Sequence, residues 1–168
     1  MDCQRKLQLI QVSIVEDIDR ICRDNGLKYY IIGGTLLGAV RHKGFIPWDD
    51  DIDLVMYRDD YNKFISIIQS EYSEKYFLQN FYTDKHYTRY IAKVRLNGTH
   101  LTESYLDNSK SHDGIYVDIF PLDYTKKNDG FYLKLRGDIV RCLFAYKTIK
   151  NNTFAKNRRN KRLYYKIW

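Results

Sequence analysis

The sequence has few cysteines, few prolines and no long apolar run, and each shortage excludes a class of protein. Its three cysteines, Cys3, Cys22 and Cys142, lack any Cys-x-x-Cys or Cys/His spacing. They therefore predict free thiols in a reducing compartment, the cytoplasm, rather than a disulfide scaffold or a zinc site. Two prolines and nine glycines exclude a low-complexity or collagen-like chain. The longest apolar stretch, residues 29–40, is interrupted by glycines and is shorter than the ~20 residues that span a bilayer.

Several catalytic signatures are also missing. The sequence contains no nucleophile elbow, no Walker A loop and no dinucleotide-binding fingerprint. His86, His100 and His112 have no metal-ligand spacing, so the pattern favours structural roles for them. The N-terminal residues lack the apolar core of a secretory signal. No covalent mechanism and no secretory leader are therefore predicted.

The positive charge is concentrated at one end of the chain. Residues 1–125 carry 15 basic and 19 acidic side chains, a balance of −4, whereas residues 126–168 carry 13 basic and 2 acidic ones, a balance of +11. This division predicts a core over 1–125 and a basic helical segment over 126–168. Clustered basic and aromatic residues over 154–168 favour either contact with an anionic membrane or nucleic acid, or a solvated helix face.

Apolar periodicity predicts helices and strands in alternation. Apolar residues at spacings of three and four predict a helix over 4–25: Leu7, Ile10, Ile14, Ile18 and Ile21. A short strand over 28–32 then meets a glycine turn, and Thr35 is expected to cap a helix that runs to about His42. Later strands are predicted over 51–57, 76–82, 90–96, 99–103 and 115–120, with Asn97-Gly98 as a hairpin turn, and helices from residues 58 or 59 and from 130. The predicted class is α/β (α+β), a small mixed sheet flanked by helices.

Four carboxylates lie within five residues, at Asp49, Asp50, Asp51 and Asp53. Strand alternation places Asp51 and Asp53 on one face, and Asp49 joins them if the chain is already extended there. Such a density of oxygen ligands suits Mg²⁺. A calcium loop is the weaker alternative, because Leu54 stands where that loop requires glycine.

A third ligand is expected from another strand. Asp118 interrupts the apolar run 115–120, and an unpaired carboxylate buried there would be costly. Alternation allows Asp118 to lie beside Asp51 and Asp53. The other interpretation is an ordinary capped or salt-bridged aspartate at a strand end.

Donors for a phosphate stand nearby. Gly33, Gly34 and Thr35, between a strand and a helix N-terminus, offer backbone N–H groups and a hydroxyl. The basic residues that can neutralise a diphosphate are Arg41 and His42, which follow closely, and Lys93 and Arg95, which share a strand face. Taken singly, the glycine pair is also typical of a tight turn, and exposed basic residues are usually solvated.

The run from Gly33 to Asp53 closely resembles the signature of the LicD/fukutin family. The segment 118–123, Asp-Ile-Phe-Pro-Leu-Asp, resembles its second motif, and with Lys93-Val94-Arg95 and Thr99 the resemblance covers roughly residues 5–125. It implies a nucleotidyltransferase-like fold and a LicD-type phosphotransferase. Such enzymes move a phospho-alcohol group, usually phosphocholine, from a CDP-activated donor to teichoic acid, lipopolysaccharide or capsule sugars, and animal relatives transfer ribitol phosphate.

The resemblance also implies roles for individual residues. One set would bind Mg²⁺, or Mn²⁺, and act in catalysis: Asp51, Asp53 and Asp118, with Asp49 as a further candidate ligand. A second set would hold the donor phosphates or line the site: Gly33, Gly34, Thr35, Arg41 and His42. The proton acceptor is left open among Asp53, Asp118 and Asp49.

The expected partners follow from this resemblance. They are a CDP-alcohol, CDP-choline first, and a glycan or glycolipid acceptor, with the protein in the cytoplasm or peripheral on the cytoplasmic membrane face; nucleic acid is the less expected partner. Family members continue beyond the second motif, so this chain is expected to be a fragment or a short member. The alternatives are a nucleotidyltransferase that moves a nucleoside monophosphate to a small molecule, and a non-catalytic basic binding module.

Overall fold

Four helices and five strands lie in the part of the chain that the computed structural model describes, residues 2–87, 89–101, 111–125 and 130–151. In order, the elements are α1 (Cys3–Asp24), β1 (Tyr30–Ile31), α2 (Gly33–His42), β2 (Asp53–Tyr57), α3 (Arg58–Glu71), β3 (Tyr76–Gln79), β4 (Ala92–Leu96), β5 (Tyr116–Leu122) and α4 (Gly130–Asn151). The five strands form one mixed sheet. The predicted α/β class is therefore confirmed.

Helix α1 buries one continuous stripe along its length. The stripe has a 4-3-4-3 spacing and its members are fully buried: Leu7, Gln11, Ile14, Ile18 and Ile21. Ile10, which the sequence also placed on this face, packs against the core but is only half-buried, and Gln11 takes the fully buried position. A glutamine thus interrupts an otherwise apolar helix face.

The strand order is β1-β2-β5-β4-β3. Strands β2 and β5 are parallel, with Asp53 opposite Asp118, and β4 runs antiparallel to β5 with Lys93 opposite Asp118. Residues directly opposite each other project from the same face of a sheet. Asp53, Asp118 and Lys93 therefore form one row across three neighbouring strands.

The other face of the sheet carries the main apolar core. Alternate residues of β2, β4 and β5 are buried there, and α1 and α3 pack against them. The shared core comprises Leu54, Met56, Val94, Val117 and Ile119 from the sheet and Phe64 and Ile68 from α3. Helices α1 and α3 therefore cover the apolar face of the sheet, and the row of Asp53, Asp118 and Lys93 lies on the other face.

Two predictions for local structure were wrong. Helix α2 begins at Gly33 after the apolar N-cap Ile32, and the Thr35 hydroxyl accepts a hydrogen bond from the Asp53 N–H at 2.8 Å rather than capping the helix. Residues 99–101 of the predicted strand 99–103 are described and are not a strand, and residues 102–103 lie outside the described ranges.

The sequence predicted a strand over 115–120 that stops before Pro121. In the structure β5 continues through Pro121 to Leu122. The pairing of β5 with β4 runs only as far as Ile119, so at Pro121 the strand has β2 as its one ladder neighbour. A residue without a backbone donor is tolerated in such a position.

The other strands are shorter than predicted. The structure has Tyr30–Ile31, Asp53–Tyr57, Tyr76–Gln79 and Ala92–Leu96 where the sequence predicted 28–32, 51–57, 76–82 and 90–96. Helix α4 begins at Gly130, as predicted, while the basic cluster of residues 156–162 lies outside the described ranges. None of the described helices has both the length and the hydropathy needed to cross a membrane.

Candidate active site

Three carboxylates from two distant parts of the chain meet on the polar face of the sheet. Asp51 lies in the segment before β2, Asp53 is the first residue of β2, and Asp118 is the third residue of β5. Each offers an oxygen, and these oxygens lie within 4.8 Å of one another. Asp51 also belongs to a second group at the same spacing, with Asp49 and Asp50. The geometry brings together the residues that the sequence nominated as ligands.

The glycine pair at the start of α2 lies against these carboxylates. A Cβ atom on Gly34 would be 2.7 Å from Asp49 Oδ2, and one on Gly33 would be 3.0 Å from Asp53 Oδ2. Gly33 also has φ +58°, a conformation that side chains rarely adopt. The helix N-terminus, with its partial positive charge and free N–H groups, therefore faces Asp49 and Asp53.

Thr35 fixes this helix to the strand that carries Asp53. Its hydroxyl accepts the Asp53 N–H, and the Ile32 N–H donates to the Asp53 carbonyl at 3.2 Å. The backbone of Asp53 is thus held on both sides by the segment that begins α2. Thr35 positions the carboxylate in this structure, whereas the sequence nominated it as a phosphate ligand.

Burial and neighbouring carboxylates raise the pKa values of the acidic groups in the site. Burial, followed by the charges of Asp53, Asp50, Asp49 and Asp118, raises the pKa of Asp51 to about 7. Burial also raises the pKa of Asp53, and the charges of Asp118 and Asp49 act in the same direction. The pKa of Asp49 is raised by burial and by Asp50. Clustered carboxylates with raised pKa values favour the uptake of a cation.

Lys93 contacts the cluster from β4. Its Nζ lies 2.7 Å from Asp118 Oδ1, and both side chains are about 95% buried (4% and 6% exposed). The same ammonium lies 3.2 Å from the ring centroid of Tyr116. Burial raises the pKa of Asp118, and the Lys93 ammonium opposes that shift. Lys93 is therefore a buried positive charge at the edge of the acidic site.

Arg95 lies two residues after Lys93 on the same face of β4, but its hydrogen bonds go to other residues. Its Nε donates to Gln79 Oε1 and its Nη1 to the Gly114 carbonyl, both at 2.6 Å. Gln79 in turn donates to Asp84 at 2.7 Å. The structure thus places Arg95 in a buried hydrogen-bond network, from which its charge, after that of Lys93, opposes the rise that burial causes in the pKa of Asp118.

Arg41 and His42 lie at the opposite end of α2 from the glycine pair. Both are exposed, and His42 packs edge-on to Trp48. Eight residues of helix separate Gly33 from Arg41, which is about 12 Å along the axis. Among the described residues, no hydrogen bond or ion pair joins either of these basic residues to the carboxylates.

Two glutamines of α1 belong to the site and were not predicted. Gln8 Nε2 donates to the Asp49 carbonyl and Gln11 Nε2 to the Asp50 carbonyl, each at 2.9 Å. Their side chains are 3% and 0% exposed. The available signal was the 4-3-4-3 stripe of α1, in which Gln11 is the polar member.

The donor set fits a hard divalent cation. It consists of carboxylate oxygens from Asp51, Asp53 and Asp118, with Asp49 adjacent, and Mg²⁺ is usually held by a few carboxylates together with substrate phosphates. The burial and mutual repulsion that raise the pKa values would be relieved by a cation. The site can therefore hold a metal and receive an anion at the N-terminus of α2.

Comparison with known proteins identifies a family. The model of the LicD/FKTN/FKRP nucleotidyltransferase domain matches residues 26–154. The lipopolysaccharide cholinephosphotransferase LicD of Haemophilus influenzae is 37% identical over 123 residues, which are 71% of this chain and 44% of that protein. An uncharacterized protein of Rickettsia typhi is 30% identical over 131 residues, 77% of this chain and 39% of that protein.

A shorter match reaches an animal protein. The human ribitol 5-phosphate transferase FKRP is 54% identical over 35 residues, 21% of this chain and 7% of that protein. This chain spans less than half the length of each of these relatives. The similarity therefore concerns one domain of longer proteins.

Proposed function

Because the chain belongs to the LicD/FKTN/FKRP family, we propose that it transfers a phospho-alcohol group, phosphocholine first, from a CDP-activated donor to a cell-surface glycan. The observation that carries the proposal is the meeting of Asp51, Asp53 and Asp118 beside the N-terminus of α2. Carboxylates for a cation and helix N–H groups for an anion are what a diphosphate donor requires. The relative named as a cholinephosphotransferase supports phosphocholine as the transferred group. The relative named as a ribitol 5-phosphate transferase makes ribitol phosphate the second choice.

Each part of the site has a task in this proposal. Asp51, Asp53 and Asp118 would hold Mg²⁺ or Mn²⁺, which would supply positive charge against the donor diphosphate. The N–H groups at Gly33 and Gly34, which belong to the first turn of α2 beside the carboxylates, receive donor phosphate oxygens. Lys93 keeps Asp118 in place and adds positive charge to the edge of the site.

The proposed reaction is a displacement at phosphorus. A hydroxyl oxygen of the glycan forms a bond to the phosphorus that bears the alcohol, and the bond from that phosphorus to the bridging oxygen breaks, so that CMP leaves. The hydroxyl proton passes to a carboxylate. Lys93 engages Asp118 Oδ1, which leaves Asp53 and Asp49, beside the glycine pair, as the acceptors we favour.

The proposal includes a location. CDP-alcohols and reduced thiols both belong to the cytoplasm, and the free cysteines are consistent with it. A glycolipid acceptor would be met at the cytoplasmic face of the membrane, where the basic segment 126–168 is attracted to anionic lipid.

The test is release of CMP. The protein is incubated with CDP-choline or CDP-ribitol, Mg²⁺ and lipopolysaccharide lacking phosphocholine, and both CMP and modified glycan are measured. Asp53→Asn is expected to slow release by about 1,000-fold or more, equivalent to about 4 kcal/mol of transition-state stabilisation. Asp59→Asn is the matched control, because Asp59 is an exposed aspartate in the first turn of α3.

Two results would contradict the proposal. One is absence of CMP with either donor together with absence of CDP binding by calorimetry. The other is release of pyrophosphate from a nucleoside triphosphate, which would identify transfer of a nucleoside monophosphate instead. Equal loss in Asp53→Asn and Asp59→Asn would show that the effect is not specific to the site.

A further inference from the structure

Glutamine side chains of α1 donate hydrogen bonds to the backbone of the acidic segment before β2, residues 49–51. Gln8 donates to the Asp49 carbonyl and Gln11 to the Asp50 carbonyl at 2.9 Å, and Gln4 donates to the Asp49 carbonyl at 3.2 Å. We infer that Gln8 and Gln11 are positioning residues that hold the Asp49–Asp51 segment where its carboxylates bind a divalent cation. The inference rests on the proposed function, which supplies the cation.

The segment needs such support because it lies outside the sheet. Residues 49–52 precede β2, whose first paired residue is Asp53. A partly buried carbonyl without a partner is unfavourable, and the buried amides of Gln8 and Gln11 supply partners for two consecutive carbonyls. These bonds hold the backbone that carries Asp49, Asp50 and Asp51 against α1.

Gln11 also links the two chain segments that supply the carboxylates. Its Nε2 lies 2.9 Å from the Asp50 carbonyl and 3.3 Å from the Tyr116 carbonyl. Tyr116 stands two residues before Asp118 on β5, and Asp50 stands immediately before Asp51. Because both partners are carbonyl oxygens, the amide nitrogen must point toward them. One buried amide therefore joins the acidic segment before β2 to strand β5, beside the direct pairing of the two strands.

Helix packing alone does not account for these glutamines. The rest of the stripe, Leu7, Ile14, Ile18 and Ile21, is apolar and fully buried, so α1 is anchored to the core without them. A buried amide adds nothing to such a stripe unless its hydrogen bonds matter. The two glutamines occupy the end of the stripe that faces the acidic segment, which is where a positioning role requires them.

The experiment measures cation binding in the absence of substrate. Gln11→Met removes the donor and keeps the length of the side chain, Gln11→Glu keeps the shape and turns a carboxylate toward two carbonyl oxygens, and Gln8→Met tests the single contact to Asp49. Ile18→Val is the matched control, a fully buried change two turns along the same stripe. Mg²⁺ and Mn²⁺ affinities are measured by calorimetry, with the unfolding midpoint recorded for each variant.

Both Gln11 variants and Gln8→Met are expected to bind the cation about 10- to 100-fold more weakly, as is typical when a residue that orients a ligand is lost. Ile18→Val should bind within about 2-fold of the unchanged protein even though its unfolding midpoint falls. Hydrogen exchange without metal should be faster over residues 46–56 in the glutamine variants only. If the Gln11 variants do not fold, Gln8→Met alone decides the question.

Two outcomes would overturn this inference alone. One is unchanged cation affinity in folded Gln8→Met and Gln11→Met, and the other is an equal loss in Ile18→Val, which would mean that affinity follows stability. Absence of cation binding by the unchanged protein would overturn both this inference and the metal in the proposed function. Weakened binding in the glutamine variants of a protein that releases no CMP would support the inference and contradict only the proposed transfer.

Discussion

The two faces of the sheet use the same strands for opposite purposes. On one face Leu54 and Ile119 are fully buried against α1 and α3. On the other, the residues adjacent to them in sequence, Asp53 and Asp118, form a charged row with Lys93. The apolar face gains stability from burial that needs no precise partner. The charged face is stable only where each charge has a partner, so its geometry is set by individual contacts.

The charged face itself has a closed part and an open part. Arg95 has its donors directed to Gln79 and Gly114, and Gln79 continues to Asp84. At the carboxylate cluster, by contrast, one ammonium, Lys93, faces several acidic groups, and the pKa values there are raised. The closed part holds loops to the sheet, whereas the open part retains the capacity to bind a ligand.

The largest expected effect breaks the apolar face. Phe64→Ala removes a fully buried ring between α3 and the sheet and should lower the free energy of unfolding by about 3–5 kcal/mol. For a domain of this size the unfolding midpoint should fall by roughly 10 °C. Urea unfolding measures the loss, and calorimetry should find the Mg²⁺ affinity of the folded variant within about 2-fold of the unchanged protein. A large loss of affinity would show that the two faces are not independent.

The next effect breaks the charged face without touching an acidic residue. Lys93→Met leaves Asp118 buried without its ammonium partner and removes the contact with the Tyr116 ring. The free energy of unfolding at pH 8 in EDTA should fall by about 3 kcal/mol, since breaking a buried pair strands a charge. Lys85→Met, an exposed lysine, is the control and should change it by less than about 0.5 kcal/mol.

A second substitution tests the reason for that loss. Replacing both partners, in Lys93→Met combined with Asp118→Leu, should recover part of the stability, because no buried charge is then left unpaired. If the double variant is no more stable than Lys93→Met, the loss comes from packing rather than from the stranded carboxylate.

The sequence predicted which side chains share a face of a strand better than it predicted which strands pair. Alternation alone was enough to set Asp53 and Asp118 apart from their apolar neighbours, because a strand turns successive side chains to opposite faces. The pairing of Lys93 with Asp118, however, depends on a register between strands more than twenty residues apart. Lys93 and Arg95 were equivalent in the sequence, and only their cross-strand neighbours distinguish them.

The errors have a common physical cause. The Thr35 hydroxyl was assigned to the nearest helix terminus, but it accepts a bond from Asp53, eighteen residues away. Gln11 was not singled out from the sequence, but it is fully buried and donates to carbonyls of two remote segments. Local pattern describes hydrophobic burial well, whereas a polar group is placed by tertiary partners that the local sequence does not contain.

A smaller effect sharpens the comparison through pH. The pKa of Asp51 is raised above 3.8 to about 7, so ionisation is harder in the folded than in the unfolded protein, and the stability contributed by Asp51 falls as pH rises from about 4 to about 7. Asp51→Asn should match the unchanged protein near pH 4.5 and exceed it by roughly 1 kcal/mol at pH 8, after allowance for solvent screening. Urea unfolding in EDTA across this range measures the difference.

Added Mg²⁺ should reverse the order at pH 8, because the cation stabilises the carboxylate form and the asparagine variant binds it weakly. A stability difference that is the same at every pH would contradict the assignment of the effect to the ionisation of Asp51. A difference that grows as pH falls would have the wrong sign for a raised pKa.

The smallest effect separates stability from function at one position. Gly34→Ala puts a methyl group 2.7 Å from Asp49 Oδ2, so Asp49 must move, and cation affinity should fall a few-fold. The fold should be unchanged or slightly more stable, because alanine is favoured over glycine in a helix by about 0.5–1 kcal/mol. Gly137→Ala in α4 is the matched control, since a Cβ there meets nothing within 4 Å, and it should stabilise without altering cation affinity. If both variants bind the cation equally well, Gly34 is required only for the backbone turn at the start of α2. Displacing the Asp49 carboxylate would then not weaken cation binding, and the geometry of the charged face would be less strict than its individual contacts suggest.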